Sequence, residues 1–260
     1  MEVLGIDIGG SGIKGAPVDV STGMLLAERL RLETPQPSTP RAISEVVAHL
    51  VAAFAWKGPI GCTFPAVVKD GVTLTAANVD TSWVGANAAR LLSQAVGQRV
   101  FLFNDADAAG VAEVRFGAAK GAKGVTLMLT FGTGIGSALL VGETLVPNTE
   151  FGHIQVRVPE KETLAKEAEH FAAERVREVE DLPWGVWAER VNVFLAALEG
   201  LLFPDLIVIG GGVANHTEKF WDKLRATTPL VPAKLRNNAG IVGAALLAAE
   251  LSSEMAGSTP

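Results

Sequence analysis

Cysteine is almost missing from this chain: Cys62 stands alone among 260 residues. A single thiol excludes an intrachain disulfide and any cysteine-rich zinc centre. Set between Gly61 and Thr63 at the end of an apolar run, it reads as a small core residue. Basic clusters are missing too. Lysines and arginines number 22 against 28 acids, a net charge of −6, which argues against nucleic acid as a main partner. No basic region followed by an apolar segment opens the chain, since Glu2 and Asp7 interrupt it. The uncharged stretch between Lys123 and Glu143 is long enough to raise a membrane question. Its Thr and Gly content indicates a buried β-hairpin instead, so a soluble, cytoplasmic protein without a membrane partner is expected.

What is present is globular: 48% of residues are apolar and 19% charged, enough for a large core and two modest lobes. One glycine-rich hairpin occurs nearly twice. Asp7-Ile8-Gly9-Gly10-Ser11-Gly12-Ile13-Lys14-Gly15-Ala16 is matched by Thr130-Phe131-Gly132-Thr133-Gly134-Ile135-Gly136-Ser137-Ala138, with one residue dropped after Thr133. Each copy lies between two apolar runs, which spells strand, tight turn, strand. Glycine, lacking Cβ, lets such a turn take φ > 0 and bring backbone N–H groups close to an anion. Two such turns facing each other across a cleft would grip a phosphate chain from both sides, the arrangement of a two-lobed phosphotransferase. An acidic protein of this kind must supply positive charge locally, through a few Lys and Arg, amides and a metal. There is no Gly-x-x-x-x-Gly-Lys-[Ser/Thr] loop, and Ile13 to Val20 reads as a strand where a dinucleotide motif needs a helix.

Along the chain, Leu4 to Ile8, Lys14 to Val20 and Leu25 to Leu32 read as strands. Thr34 to Pro40 is a connector rich in proline. Thr39-Pro40 opens a helix that turns Ile43, Val46, Val47, Leu50, Val51 and Phe54 inward. A strand at Pro59 to Phe64, a helix at Ala88 to Val96 and a strand at Arg99 to Phe103 lead to Asn104-Asp105, and Ala106 to Phe116 is helical. Lys161 to Val179 is charge-rich with helical spacing. A helix follows Asp181, with Pro183 in its first turn and Trp187, Val191, Phe194, Leu195, Leu198 and Leu202 inward. A buried strand, Asp205 to Ile209, ends in Gly210-Gly211-Gly212. The predicted division is a lobe of residues 1–105, with the helix 239–251 packing back on it, and a larger lobe of 106–238.

These landmarks, in this order over nearly the whole chain, resemble the actin-like ATPase superfamily and within it the ROK sugar kinases. Asp7-Ile8-Gly9-Gly10 resembles the family's first phosphate motif and Thr130 to Gly136 its second. Asn104-Asp105 resembles the catalytic pair, Glu150-Phe151-Gly152-His153 the Glu-x-Gly-His sugar motif, and Gly210-Gly211-Gly212-Val213 the adenosine-side glycine motif. The runs Asp7 to Asp19, Thr34 to Pro40, Ala76 to Asp80 with Ser82-Trp83, and Pro147 to Ile154 resemble the subfamily of glucokinases that uses inorganic polyphosphate. The resemblance implies an α/β, two-lobed actin-like (ribonuclease H-like) fold with a central cleft. It also implies transfer of phosphate from polyphosphate and/or ATP to the 6-hydroxyl of glucose, with Mg²⁺, in a homodimer. Typical members carry a zinc motif of three cysteines and a histidine. No cysteine follows Cys62, so no structural zinc is expected, and the charged helix from Lys161 would occupy its place. Ala66 departs from the family's usual glycine and Thr81 from the subfamily's frequent lysine.

Phosphoryl transfer needs alignment and charge neutralisation more than covalent help. Asp105 is the expected general base, with a helix cap as its bland reading and Asp107 as its rival. Asp7 would hold Mg²⁺ through water. Gly9, Gly10, Ser11, Gly12 and Lys14 would hold one side of the phosphate chain, and Thr130, Gly132, Thr133 and Gly134 the other. Lys14 reads equally as a strand-surface lysine. Gly210, Gly211 and Gly212 would meet a nucleotide. Asn78, Asn104, Asp105, Glu150, His153 and Glu169 would bind the sugar, and Trp83 either closes over it or packs. Alternatives are an ATP-only ROK kinase for another hexose (mannose or an N-acetyl sugar), a sugar-sensing repressor, and a non-catalytic actin-like nucleotide-binding protein. The repressor needs an N-terminal helix-turn-helix for which the hairpin at Asp7 leaves no room.

Overall fold

The computed structural model describes residues 1–76, 78–158 and 161–257. The chain forms two compact units, one from Met1–Ala112 joined by the segment from Asn238 onward, the other from Glu113–Asn237.

In the first unit, β1 (Glu2–Ile8) and β2 (Gly12–Asp19) make the first glycine hairpin. The expected long strand over Leu25 to Leu32 is instead two short ones, β3 (Met24–Leu25) and β4 (Leu30–Glu33), which pair successively with β2. Helix α1 (Pro40–Ala53) starts as its sequence indicates, with Thr39 Oγ1 accepting from the Ala42 amide and Ile43, Val47 and Leu50 buried. Strand β5 (Ile60–Phe64), the small hairpin β6 (Val68–Lys69) and β7 (Val72–Thr73), helix α2 (Ala88–Val96), strand β8 (Val100–Asn104) and helix α3 (Asp105–Phe116) complete the pass. The sheet order is β3-β2-β1-β5-β8, with β1, β5 and β8 parallel.

The second unit repeats this plan. Hairpin β9 (Val125–Phe131) and β10 (Ile135–Val141), extended by β11 (Thr144–Val146), is followed by β12 (Gln155–Val158) and β13 (Lys161–Glu167), which pair with each other. Then come α4 (Glu169–Ala172), α5 (Glu174–Val179), α6 (Trp184–Leu202), β14 (Leu206–Gly211) and β15 (Leu230–Pro232). The sheet order β11-β10-β9-β14-β15, with β9, β14 and β15 parallel, has the same hairpin-plus-parallel design. The uncharged segment after Lys123 is therefore a hairpin with a buried core face. Lys161 to Val179 is not one helix. Its first seven residues form strand β13, which pairs with β12 across a register shift, and two short helices follow.

The final helix, α7 (Ala239–Gly257), belongs to the first unit and packs on β1 and β5. It lies on a floor of paired glycines, Gly5 and Gly61. A Cβ on either would come within 2.0 Å of a helix carbonyl oxygen, Ile241 O and Ala244 O respectively. Each unit has its own core. Leu4, Ile6, Ile13, Val47, Cys62, Phe64 and Trp83 are buried in the first, and Leu129, Phe131, Trp187, Phe194, Leu195 and Phe220 in the second. Burial pushes the Cys62 thiol far above its usual range, as befits an inert core residue. Trp83 is fully buried, its ring 4.6 Å from that of Phe64 and its indole N–H donating to Ser38 O. It is a core side chain with no face left to close over a sugar.

Candidate active site

Both glycine turns are closed by their own backbones. The Gly9 amide donates to Gly12 O at 3.1 Å, and the Gly132 amide to Gly134 O at 3.0 Å. The second closure is one residue tighter, as the dropped residue requires. Neither turn uses the left-handed conformation, since Gly9, Gly10, Gly12, Gly132 and Gly134 are absent from the positive-φ glycines. Several of these glycines serve close approach instead. A Cβ on Gly10 would sit 3.3 Å from Asn78 Cβ, and one on Gly134 would sit 2.5 Å from Glu169 Oε2.

In the first unit, Asp7 lies at the end of β1, in register with Lys14 on β2 and Thr63 on β5. Thr63 Oγ1 donates to Asp7 Oδ1 at 2.8 Å, and Lys14 Nζ lies 3.4 Å from Asp7 Oδ2. Lys14 is thus the carboxylate's partner, with its side chain only 24% exposed. Ser11 is exposed at the turn's tip, and its carbonyl accepts from Arg31 Nη2 at 3.1 Å. Asn78 holds φ +62, a left-handed position that Asn tolerates better than most residues, and its exposed side chain stands beside the turn.

Asn104 and Asp105 divide the work at the junction of β8 and α3. Asn104 is buried, its Oδ1 accepts from the Asp107 amide at 3.0 Å, and its Nδ2 donates to Ala66 O at 3.0 Å. Asn104 is therefore the helix cap, and the Ala66 carbonyl is where the unusual alanine bears on it. Asp105 opens the helix half-buried, its Oδ1 accepting from the Ala106 amide at 2.9 Å. Asp107, two residues on, is buried at 3% exposure.

In the second unit, β10 carries the sugar-motif turn. The Phe151 amide donates to Ser137 Oγ, which itself donates to Thr149 O. Glu150 and His153 flank this turn. Their neighbours are Glu167, which ends β13, and Glu169, which starts α4, rather than two residues of one long helix. His153 Nδ1 lies 2.9 Å from Glu167 Oε2 and 3.8 Å from Glu169 Oε1, while Nε2 lies 3.8 Å from Glu150 Oε2. The hydrogen bond to Glu167 raises the His153 pKa above its usual range, against partial burial, with Glu169 and Glu150 adding to the rise. Burial raises that of Glu150, opposed by His153 and reinforced by Glu169. His153, Glu167 and Glu169 offer donor atoms within 4.8 Å of one another.

The last glycine motif lies in register with the second turn, Gly210 opposite Thr130 and Gly211 opposite Phe131. Gly211 has φ +82, and Gly212 faces the carboxylate of Glu174, whose pKa burial and Glu178 push up. The Arg175 amide donates to Gly132 O. Thr130, Gly132, Thr133 and Gly134 thus share one end of the second sheet with Gly210, Gly211, Gly212, Glu169 and Glu174. Thr63, Glu167 and Glu174 stand against the candidate residues Asp7, His153 and Gly212, and the sequence reading did not single them out. Glu167 is placed by the register of β13 against Gln155 on β12, a pairing that charge spacing suited to a helix does not reveal.

Two sheets of one topology, each headed by a glycine hairpin, with an acid opening the helix after the first unit's last parallel strand, define an actin-like ATPase fold of the sugar-kinase kind. The chain belongs to the ROK family, whose family model matches residues 3–166. It is 50% identical over 243 residues to polyphosphate glucokinase of Mycobacterium tuberculosis, covering 93% of this chain and 89% of that one. Among solved structures it is similar to inorganic polyphosphate/ATP-glucomannokinase from Arthrobacter sp. strain KM. The TM-score is 0.89 at 43% identity, over 96% of this chain and 99% of that one. It also matches a ROK family glucokinase from Streptomyces griseus in complex with glucose and AMPPNP, with a TM-score of 0.80 at 25% identity over 96% and 100% of the two chains.

Proposed function

We infer that this chain is a glucokinase that moves a phosphoryl group from inorganic polyphosphate or ATP to the 6-hydroxyl of glucose. The observation that carries the reading is the 50% identity, sustained over 93% of the chain, with an enzyme named for both glucose and polyphosphate.

The site residues take their roles from their positions. Asp105 accepts the proton of the sugar's O6 as that oxygen bonds to the terminal phosphorus. The bond from phosphorus to the bridging oxygen breaks, and its electron pair leaves with ADP or with a chain one phosphate shorter. The transition state is loose, so Asp105 chiefly aims the hydroxyl and an ordinary carboxylate suffices. Because Asn104 supplies the helix cap, Asp105 is not needed for that task. Asn104 still has one Nδ2 hydrogen for a sugar oxygen. Asn78, Glu150, His153 and Glu169 supply further donors and acceptors, and a wrong hydroxyl would leave some of them unpaired. The trio His153, Glu167 and Glu169 is assigned to hydroxyls rather than to a structural zinc, since it has no thiolate and its closest pair is already hydrogen-bonded.

Mg²⁺ fits the first unit's donor set. Asp7 is one carboxylate, held by Thr63, and Mg²⁺ favours one or two carboxylates with water and phosphate oxygens. Asp7 would hold it through water, and the bound ion would neutralise charge on the phosphate oxygens. The turn amides, Ser11, Lys14, Thr130 and Thr133 hold the phosphates, and Gly210, Gly211 and Gly212 the nucleoside when ATP is the donor.

The test is glucose 6-phosphate formation by the purified protein with Mg²⁺, comparing polyphosphate with ATP and glucose with mannose and N-acetylglucosamine. Turnover of glucose with either donor is expected, and none with both would overturn the reading. Mannose is the second acceptor to try, because the Arthrobacter relative is a glucomannokinase. The assembly is proposed as a homodimer, checked by sedimentation velocity.

A further inference from the structure

We propose that Arg31 binds the phosphoryl donor at phosphates beyond the one transferred, and so weights the enzyme toward linear polyphosphate over ATP. The proposal rests on the glucokinase reading above and names what distinguishes its two donors.

The first sheet sets a row of chemistry across its strands. Arg31 on β4 is the register partner of Lys14 on β2, Lys14 of Asp7 on β1, and Asp7 of Thr63 on β5. Register partners project to the same face, so a guanidinium, an ammonium, a carboxylate and a hydroxyl stand side by side. The next strand continues the row with Phe103, two residues before Asp105. Strands lie about 4.8 Å apart, which puts the Arg31 backbone about 10 Å from that of Asp7, on the side away from Asp105. A donor whose terminal phosphate is served by Asp7 and Asp105 would run past Lys14 and then meet Arg31.

Arg31 is also built against the phosphate turn. Its Nη2 donates to Ser11 O at 3.1 Å, while Thr34 Oγ1 donates to Gly9 O at 2.5 Å. In a trans peptide each carbonyl points opposite to the following N–H. The two side chains of this edge therefore turn the Gly10 and Gly12 amides away from themselves. A Cβ on Gly12 would come within 2.7 Å of Arg31 Nε, so the guanidinium lies directly against the turn. The bond to Ser11 uses one of five guanidinium N–H groups. Among the described residues no acid forms an ion pair with Arg31, whereas the charge of Lys14 is shared with Asp7. In a protein of net charge −6, an unshared cation on the phosphate turn is a local attraction for a polyanion. A nucleotide has three phosphates and then an uncharged ribose and base. Polyphosphate continues as anion, and gains more from a cation set further out.

The experiment compares the full-length protein with its R31Q, R31M and R31K variants, measuring kcat and KM for polyphosphate and for ATP at saturating glucose, and KM for glucose. Gln keeps an N–H for Ser11 O but loses the charge, Met loses both, and Lys restores the charge. Loss of one charge-assisted hydrogen bond raises the polyphosphate KM about tenfold or more in R31Q and R31M; ATP and glucose change less than about twofold in R31Q, ATP weakens as well in R31M because the turn loses its anchor at Ser11 O, and R31K recovers polyphosphate. Equal losses with both donors in R31Q, or no change with polyphosphate, would overturn the assignment while leaving the glucokinase reading intact. A wild-type protein inactive with both donors would remove the reading and the inference together.

Discussion

Asn104 and Asp105 are adjacent, yet Asn104 is buried as the helix cap while Asp105, half-buried, is the proposed base. Asn104 uses its amide on the Asp107 N–H and the Ala66 carbonyl, so Asp105→Asn keeps the helix cap and tests the proposed base. Kcat for glucose is expected to drop by about 10²–10⁴-fold, the range for losing a general base, with little change in thermal stability. Retention of kcat within about tenfold, against that same range, would remove Asp105 from the chemistry. His153 and Glu167 make a pH-dependent pair. The His153 pKa is raised in the folded state, while that of half-buried Glu167 is lowered by the same bond. The pair's contribution is therefore complete below the unfolded histidine value of about 6.5 and is lost as pH rises through the raised folded value. It also fades on the acid side once Glu167 protonates, below about 4.5. The difference in Tm between wild type and Glu167→Gln should be largest near pH 5 to 6.5 and vanish at alkaline pH. A difference that stays constant across this range would show that the pair does not titrate as described.

Glycine separates two kinds of element contact. Gly61 on β5 lies under α7, and a methyl group there would overlap the Ala244 carbonyl oxygen, which is helix backbone and cannot swing aside. Gly61→Ala is expected to cost roughly 3 kcal/mol, the upper end for overpacking, seen as a lower midpoint in urea. Gly132, with nothing within 4 Å of its Cβ position, should accept alanine with almost no loss of stability. Equal midpoints for the two variants would contradict the packing of α7 on β1 and β5. Helix α1 could be read in advance because its cap and its apolar spacing agree. Strand β13 could not, because charges spaced along Lys161–Glu167 suit a helix and a strand alike until β12 is seen beside it.

The chain's ends meet in one unit: β1 begins the first sheet and α7 covers it. Ending the chain at Asn237 would uncover the floor made by β1 and β5. Such a truncated protein is expected to lose cooperative unfolding of the first unit and bind a hydrophobic dye. A sharp, wild-type-like unfolding transition would refute this. What residue order alone determined was everything local. It set both glycine hairpins, the cap at Thr39, the junction at Asn104-Asp105 and the likeness to ROK kinases, because turns, caps and motifs are written within a few neighbouring positions. What waited for the folded chain was every assignment that depends on distant partners. Trp83 became core against Phe64 and Ser38, Glu167 became the partner of His153, Gly5 and Gly61 became the seat of α7, and Arg31 came to lie on the turn at Ser11. Side chains far apart in the chain acquire a chemical role only when strand register and helix packing bring their atoms within bonding distance.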